Sequence, residues 1–365
     1  MFDRRLVSNF DWVLILTVLL LAGVGIANLY SATASWGAVA TPLYLKQLLW
    51  LSGGVVIALI ICLFDYRHLQ HFAVHLYVIS VVMLVYVLVL GKTSMGATRW
   101  INLGFFNLQP GEVIKVAIIL LLARIFAETA NPVGFGFFEL WKPAVWILLP
   151  VGLILKEPDL GTAAMVVFIA GTMLLFAGLK RGTLIGLGLI GILTAIGGWF
   201  GLHDYQRARI RTFMNPEADP LGSGYHIIQS KIAVGSGGFW GKGYIQGSQS
   251  QLSFLPERHT DFAFSVFAEE WGFVGCFGLL FFYLFLIVWG LYIARRAADR
   301  FGLFLAVGVT AMIFWHIVVN LGMVIGLLPV VGVPLPLFSY GGTSMVTTMI
   351  GVGLLMNVSM RRFMF

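Results

Sequence analysis

Phe254-Leu255-Pro256-Glu257-Arg258-His259-Thr260-Asp261-Phe262 leads directly into Ala263-Phe264-Ser265-Val266-Phe267, the start of an apolar stretch that continues to position 294. Four ionisable side chains crowd into positions 257–261, immediately before a segment long enough to cross ~30 Å of hydrocarbon, which takes about 20 residues. Charge is scarce elsewhere. Asp, Glu, Lys and Arg make up 11% of the 365 residues and hydrophobic types 59%, with a mean hydropathy of +0.93. Such a composition describes a polytopic membrane protein and excludes a soluble globule. Ionisable groups beside hydrocarbon are costly to hold, so the cluster reads as a functional site. Interfacial charge is the plainer alternative, but Pro256 and the two acids are unlike the Lys/Arg flanks that anchor spans.

Working outward, runs suited to crossing the membrane occupy 12–31, 45–64, 72–91, 112–127, 143–157, 160–179, 183–201, 262–294, 302–327 and 342–360. The fold class expected is all-α, with about ten transmembrane helices in a single membrane domain over 1–365. The run from Trp12 follows Arg4 and Arg5, as a secretory signal would, but it is longer than an h-region of roughly 7–15 residues and reads as the first span. The runs 112–127 and 143–157 are short and charged at their edges, which suits helices buried against protein and facing a cavity.

Arg4/Arg5, Arg67, Lys142, Lys180/Arg181, Arg295/Arg296/Arg300 and Arg361/Arg362 fall at alternate connections. With ten spans these share one side, the cytoplasm by the positive-inside rule, and both termini lie there. The net charge of +7 is thereby a matter of orientation and not of nucleic-acid binding. Cys62 and Cys276 both sit in apolar runs, where a disulfide is not expected.

The other connections face outward. The largest is a loop over 202–260 carrying Arg207, Arg209, Arg211, Lys231, Lys242 and Arg258. Within it, Tyr225–Val234 suits a short interfacial helix, with His226, Gln229 and Ser230 on one face and Ile228 and Ile232 on another. Next comes Gly235-Ser236-Gly237-Gly238-Phe239-Trp240-Gly241-Lys242-Gly243, which fails the phosphate-loop spacing. Two readings stand for it: tight turns only, or backbone amides open to an anion or a sugar.

Glu112 and Lys115 are one helical turn apart at the start of a span, either as a structural ion pair or as a cation aimed at a lipid phosphate. In Glu157-Pro158-Asp159, the proline breaks one helix, and Asp159 either caps the next or joins a site. The Pro-rich stretch 328–342 reads as re-entrant backbone.

Taken in order, several stretches resemble the SEDS family of bacterial shape, elongation, division and sporulation proteins, over nearly the whole chain. They are Gly96-Ala97-Thr98-Arg99-Trp100, Gln109-Pro110-Gly111-Glu112, Pro158-Asp159-Leu160-Gly161-Thr162, Gly332-Val333-Pro334-Leu335-Pro336, and the loop segment Gln249-Ser250-Gln251-Leu252-Ser253 leading into the opening stretch. Arg258, together with Gly224-Tyr225-His226-Ile227-Ile228-Gln229-Ser230, places the resemblance in the rod-shape branch.

The resemblance implies a peptidoglycan glycosyltransferase of the bacterial cytoplasmic membrane that polymerises lipid II, with a class B penicillin-binding protein and other elongation-complex membrane proteins as partners. Gly111 and Glu157 depart from the family pattern, which has Ser and Gln there; the second adds negative charge near the site.

A lipid-linked diphosphate is already a good leaving group, so the reaction needs a base for the acceptor hydroxyl and positive charge for the departing diphosphate. Asp261 is the expected base. The candidate substrate-binding residues are Arg258, Lys115, Glu112, Asp159, Arg207, Arg211, Lys231 and His259, with Arg suited to bidentate phosphate contact. A divalent cation (Mg or Mn) shared by Glu112, Asp159 and Asp261 is a further expectation that spacing does not establish. A lipid II flippase and a non-catalytic scaffold for the transpeptidase remain as alternatives.

Overall fold

The computed structural model describes residues 9–36, 41–94, 97–102, 104, 107–129, 134–201, 207, 211–218, 223–252 and 254–363. Arg4, Arg5, Gly96, Arg209 and Ser253, used above, lie outside the described residues. Twelve helices carry the description below: α1 (Trp12–Thr33), α2 (Leu43–Leu63), α3 (Tyr66–Leu90), α4 (Pro110–Glu128), α5 (Trp141–Lys156), α6 (Leu160–Ala177), α7 (Arg181–Gly201), α8 (Ser223–Ser236), α9 (Ser248–Gln251), α10 (Ala263–Arg295), α11 (Arg300–Val324) and α12 (Gly342–Met360). Three short antiparallel strands, β1 (Lys92–Ser94), β2 (Ala97–Asn102) and β3 (Asn107–Leu108), lie between α3 and α4.

Nine helices among the described residues are long and apolar enough to cross a membrane. The tenth expected span, α4, is comparable at 19 residues but carries Glu112, Lys115, Arg124 and Glu128. Its charge is tolerated because it is packed by α3, α6 and α11, and its residues from Ile114 to Ala123 are all buried. Lipid-facing positions elsewhere are apolar and exposed, such as Leu49, Val82 and Leu193. The chain is a multi-pass membrane protein.

Polar contacts sort the helix ends into two groups. At one end, Asp11 caps α1 and also receives hydrogen bonds from Ser359 Oγ at 2.7 Å and from Trp289 Nε1. There too, Asp299 receives Arg67 Nε at 2.9 Å, and Arg361 donates to the Cys62 carbonyl. The start of α1 and the finish of α12 therefore meet, as an even number of crossings requires. At the other end, the loop 235–262 is clamped against α1 and α10.

That clamp settles the glycine-rich stretch. The amides of Lys242 and Gly243 donate to the carbonyls of Glu269 and Glu270, and that of Gly241 to Gly237. A side chain at Gly241 would meet the Glu270 carbonyl at 2.1 Å, and Gly272, at φ 61°, breaks α10 where the loop crosses it. These glycines permit close backbone packing. The short helix α8 forms as expected, but its inward face is Ile227, Ser230 and Ala233, not an all-polar one. Ser230 pays for burial by bonding the Val324 carbonyl at 2.6 Å and Ser265 Oγ at 2.8 Å.

Candidate active site

At the loop-bearing end of the bundle, a cavity of about 150 Å³ is lined by residues from six parts of the chain. Trp100 and Gln109 come from the strand region, Glu112 and Lys115 from α4, and Thr162 from α6. Asp261 comes from the loop before α10, His316 from α11, and Tyr340 and Ser344 from the entry to α12.

Pro110 begins α4, a position where its missing N–H is no loss, and this sets Glu112 in the first turn. Lys115 Nζ lies 2.6 Å from Glu112 Oε1 and 2.8 Å from His316 Nε2. The Nδ1 atom of His316 is 2.7 Å from the Met312 carbonyl, which only accepts. Nδ1 therefore carries the proton, and Nε2 offers its lone pair to the ammonium. Lys115 is almost fully buried, so this pairing is what makes its charge tolerable.

Asp261 is held through its backbone. Its carbonyl accepts from Asn320 Nδ2 at 3.0 Å, and the same nitrogen donates to the Val333 carbonyl at 2.8 Å. The Asp261 carboxylate faces Gly332, whose φ of 72° admits no side chain without strain. A Cβ there would stand 3.5 Å from Asp261 Oδ2.

Asp159 caps α6, with Oδ1 accepting from the Thr162 amide at 3.1 Å and Oδ2 from Thr162 Oγ1 at 2.9 Å. Arg99 stands 3.5 Å from Oδ2 and donates to the Pro158 carbonyl at 2.6 Å. Capping is thus real, and it also fixes Thr162, a wall of the cavity. A Cβ on Gly111 would press on Thr162 Cγ2 at 2.9 Å, so glycine there gives Thr162 its room. Glu157 is buried beside this group; burial, and then the charge of Asp159, push its carboxyl up to about 8 against the pull of Arg99.

The structure brings Glu112, Lys115 and Asp261 to the lining of one cavity and places the other expected residues elsewhere. Arg258 is buried, and its guanidinium donates to the Ser250 carbonyl and, at 2.8 Å, to Ser35 Oγ, outside the cavity wall. His259 hands its carbonyl to the Tyr340 amide at 2.9 Å, tying the loop to the entry of α12. Burial lowers its imidazole pKa against the pull of Glu257. Arg207 donates to the Phe200 carbonyl, and Arg211 and Lys231 lie exposed on the loop.

No group of three or more His, Cys, Asp and Glu suited to a metal ion is found among the described residues. Glu112 bonds Lys115 through Oε1, and Asp159 accepts from the amide and hydroxyl of Thr162. His316 and Asn320 were not anticipated from sequence. They are four residues apart, on one helical face inside an apolar run, and polar side chains so placed are the signal that would have found them.

The sequence profile of the FTSW_RODA_SPOVE family, described as cell cycle protein, matches residues 11–363. The chain is 43% identical over 339 residues to the peptidoglycan glycosyltransferase MrdB of Escherichia coli (strain K12), covering 92% of this chain and 91% of that one. It is similar to a solved chain from a study of the structural coordination of polymerization and crosslinking by a peptidoglycan synthase complex. That match has a TM-score of 0.83 and 34% identity, over 98% of this chain and 99% of the other. The crystal structure of the Thermus thermophilus rod shape determining protein RodA superposes with a TM-score of 0.71 and 31% identity, over 97% and 98% of the two chains.

Proposed function

The chain belongs to the FTSW_RODA_SPOVE family and is a peptidoglycan glycosyltransferase, and we propose that it polymerises lipid II at this cavity with Asp261 as general base. The observation that carries the reading is that the Asp261 carboxylate and the Lys115 ammonium line one cavity beside the polar end of the bundle.

In the reaction, an acceptor sugar hydroxyl attacks the anomeric carbon of the lipid-linked donor. Its proton passes to Asp261, the new glycosidic C–O bond forms, and the bond to the diphosphate breaks with its electron pair leaving on oxygen. One displacement inverts the anomeric centre, so a single carboxylate suffices. Lys115 bonds Glu112 and His316, and the third N–H of an ammonium remains for the leaving diphosphate. Glu112 offsets the cost of burying that ammonium. Arg258 shapes the loop that presents Asp261, while Arg207, Arg211 and Lys231 suit lipid headgroups.

The likeness to a chain of a peptidoglycan synthase complex supports a partner that crosslinks, of the class B penicillin-binding protein type. A cytoplasmic location for both termini follows from the charge asymmetry.

Strand formation from purified lipid II tests the reading. Asp261→Asn keeps volume and most hydrogen bonding but removes the base, so the rate should fall by at least ~10²–10⁴ with unchanged melting. Full activity in a folded Asp261→Asn protein would overturn it and bring back the flippase or scaffold.

A further inference from the structure

We propose that His316 is a positioning residue for the reaction, acting through Lys115 to aim the ammonium at the leaving diphosphate; this rests on the assignment of Lys115 above. Lys115 and Glu112 share one helix, three residues apart, and their bond alone leaves the lysine free to swing about the end of its long side chain. His316 comes from a different helix, α11, and meets Nζ at 2.8 Å. With Glu112 Oε1 at 2.6 Å, two fixed acceptors on two helices define where the third N–H points.

The imidazole is itself held, because its Nδ1–H donates to the Met312 carbonyl at 2.7 Å within the same helix. That bond sets both the ring orientation and the tautomer, so Nε2 is an obligate acceptor. It therefore steers Lys115 without competing for the carboxylate. A neutral acceptor also avoids adding a second negative charge beside the site of a departing diphosphate.

The groups facing this pair from each wall of the cavity fit that role. Thr162 and Met165 come from α6, Tyr340, Thr343 and Ser344 from the entry to α12, and Asp261 from the loop before α10. Lys115 is the cation among these walls, so where its proton points decides how well new charge on the leaving oxygen is met. Charge on that oxygen grows only as the bond breaks, so the contribution of His316 belongs to turnover and to product, not to donor capture.

The test uses the purified full chain in detergent. His316→Leu removes the acceptor; His316→Gln replaces it with an amide oxygen of similar reach. Two quantities are measured: strand formation from lipid II, giving kcat and KM, and affinity for undecaprenyl diphosphate, with the monophosphate as control. For His316→Leu, kcat and diphosphate affinity should each fall by roughly 10-fold, while KM stays within about 2-fold. His316→Gln should recover both to within about 3-fold of the parent protein.

If His316→Leu fails to fold, His316→Ser, whose hydroxyl stops short of Lys115, carries the same expectation. Equal losses in the Gln and Leu variants, or no loss in either, would overturn the role. Asp261→Asn should keep its diphosphate affinity. An active Asp261→Asn protein would therefore refute the base assignment while the affinity series still judges His316.

Discussion

Asn320 Nδ2 donates to the backbone carbonyl of Asp261 at 3.0 Å, and it donates to the Val333 carbonyl at 2.8 Å as well. One fully buried amide on α11 thus ties the loop bearing the expected base to the re-entrant backbone opposite. The main chain at Asp261 is thereby fixed, and Asp261 lines the cavity.

Asn320→Leu would strip the hydrogen-bond donor from the buried Val333 carbonyl and the part-buried Asp261 carbonyl. Each such loss costs about 1–3 kcal/mol. Thermal melting in detergent should drop, and strand formation should fall further than the melting loss explains, since Asp261 remains but loses its fixed place. Unchanged kcat in a destabilised Asn320→Leu protein would show that the tie is structural only.

Glu157 supplies a pH dependence. Its carboxyl, raised by burial and by the charge of Asp159 to about 8, stays protonated near neutrality in the folded chain. A group whose folded pKa is raised favours the fold below its unfolded value, and that contribution is lost as pH rises through the folded one. At about 1.4 kcal/mol per unit, the cost above pH 8 is on the order of a few kcal/mol. Melting of the parent protein should fall between pH 6 and pH 9, whereas Glu157→Gln, which stays neutral, should show a flatter profile. Parallel profiles for the two proteins would refute the burial argument.

A second buried acid governs the loop clamp. Glu269 is fully buried, and its Oε1 accepts from Lys242 Nζ at 2.7 Å, the Gln249 amide at 3.0 Å and Ser248 Oγ at 3.1 Å. Lys242→Met would leave that carboxylate without its partly exposed cation, at a cost below the ~3–5 kcal/mol of breaking a fully buried pair. Glu269→Gln, which removes the charge together with the need for it, should cost less. Limited proteolysis within 235–262 is the readout. A Lys242→Met loop as resistant as the parent would show that the backbone contacts alone hold the clamp.

The fold was legible because hydrocarbon demands long apolar runs, and nine of these appear directly as helices. α4 was legible only as a charged run, and its burial explains how it keeps Glu112 and Lys115. At the site, the sequence brought Asp261, Glu112 and Lys115 forward because each breaks an apolar context. It could not tell which way a side chain turns. Arg258, three residues from Asp261, points to Ser250 and Ser35, and Asp159 spends its carboxylate on a cap. The spacing of His316 and Asn320 marks one face of α11 but not what packs on it, and only the fold shows that Lys115, Asp261 and Val333 meet them there.

Orientation in the membrane yields the last prediction. The polar contacts place Asp11, Arg67 and Arg361 at one end of the bundle and the loop 235–262 at the other. The proposal that the first end is cytoplasmic rests on its basic residues, including Arg296 and Arg300. In a background with Cys62 and Cys276 replaced by alanine, Gln246→Cys on the exposed loop should react with a membrane-impermeant maleimide in intact cells. Arg296→Cys, also exposed, should react only after permeabilisation. Labelling of both from the same side would mean an even number of crossings between them and would remove the outward-facing site. The reversed pattern would keep the single crossing by α10 but invert the protein, placing Asp261 where an outward-facing strand synthesis cannot occur.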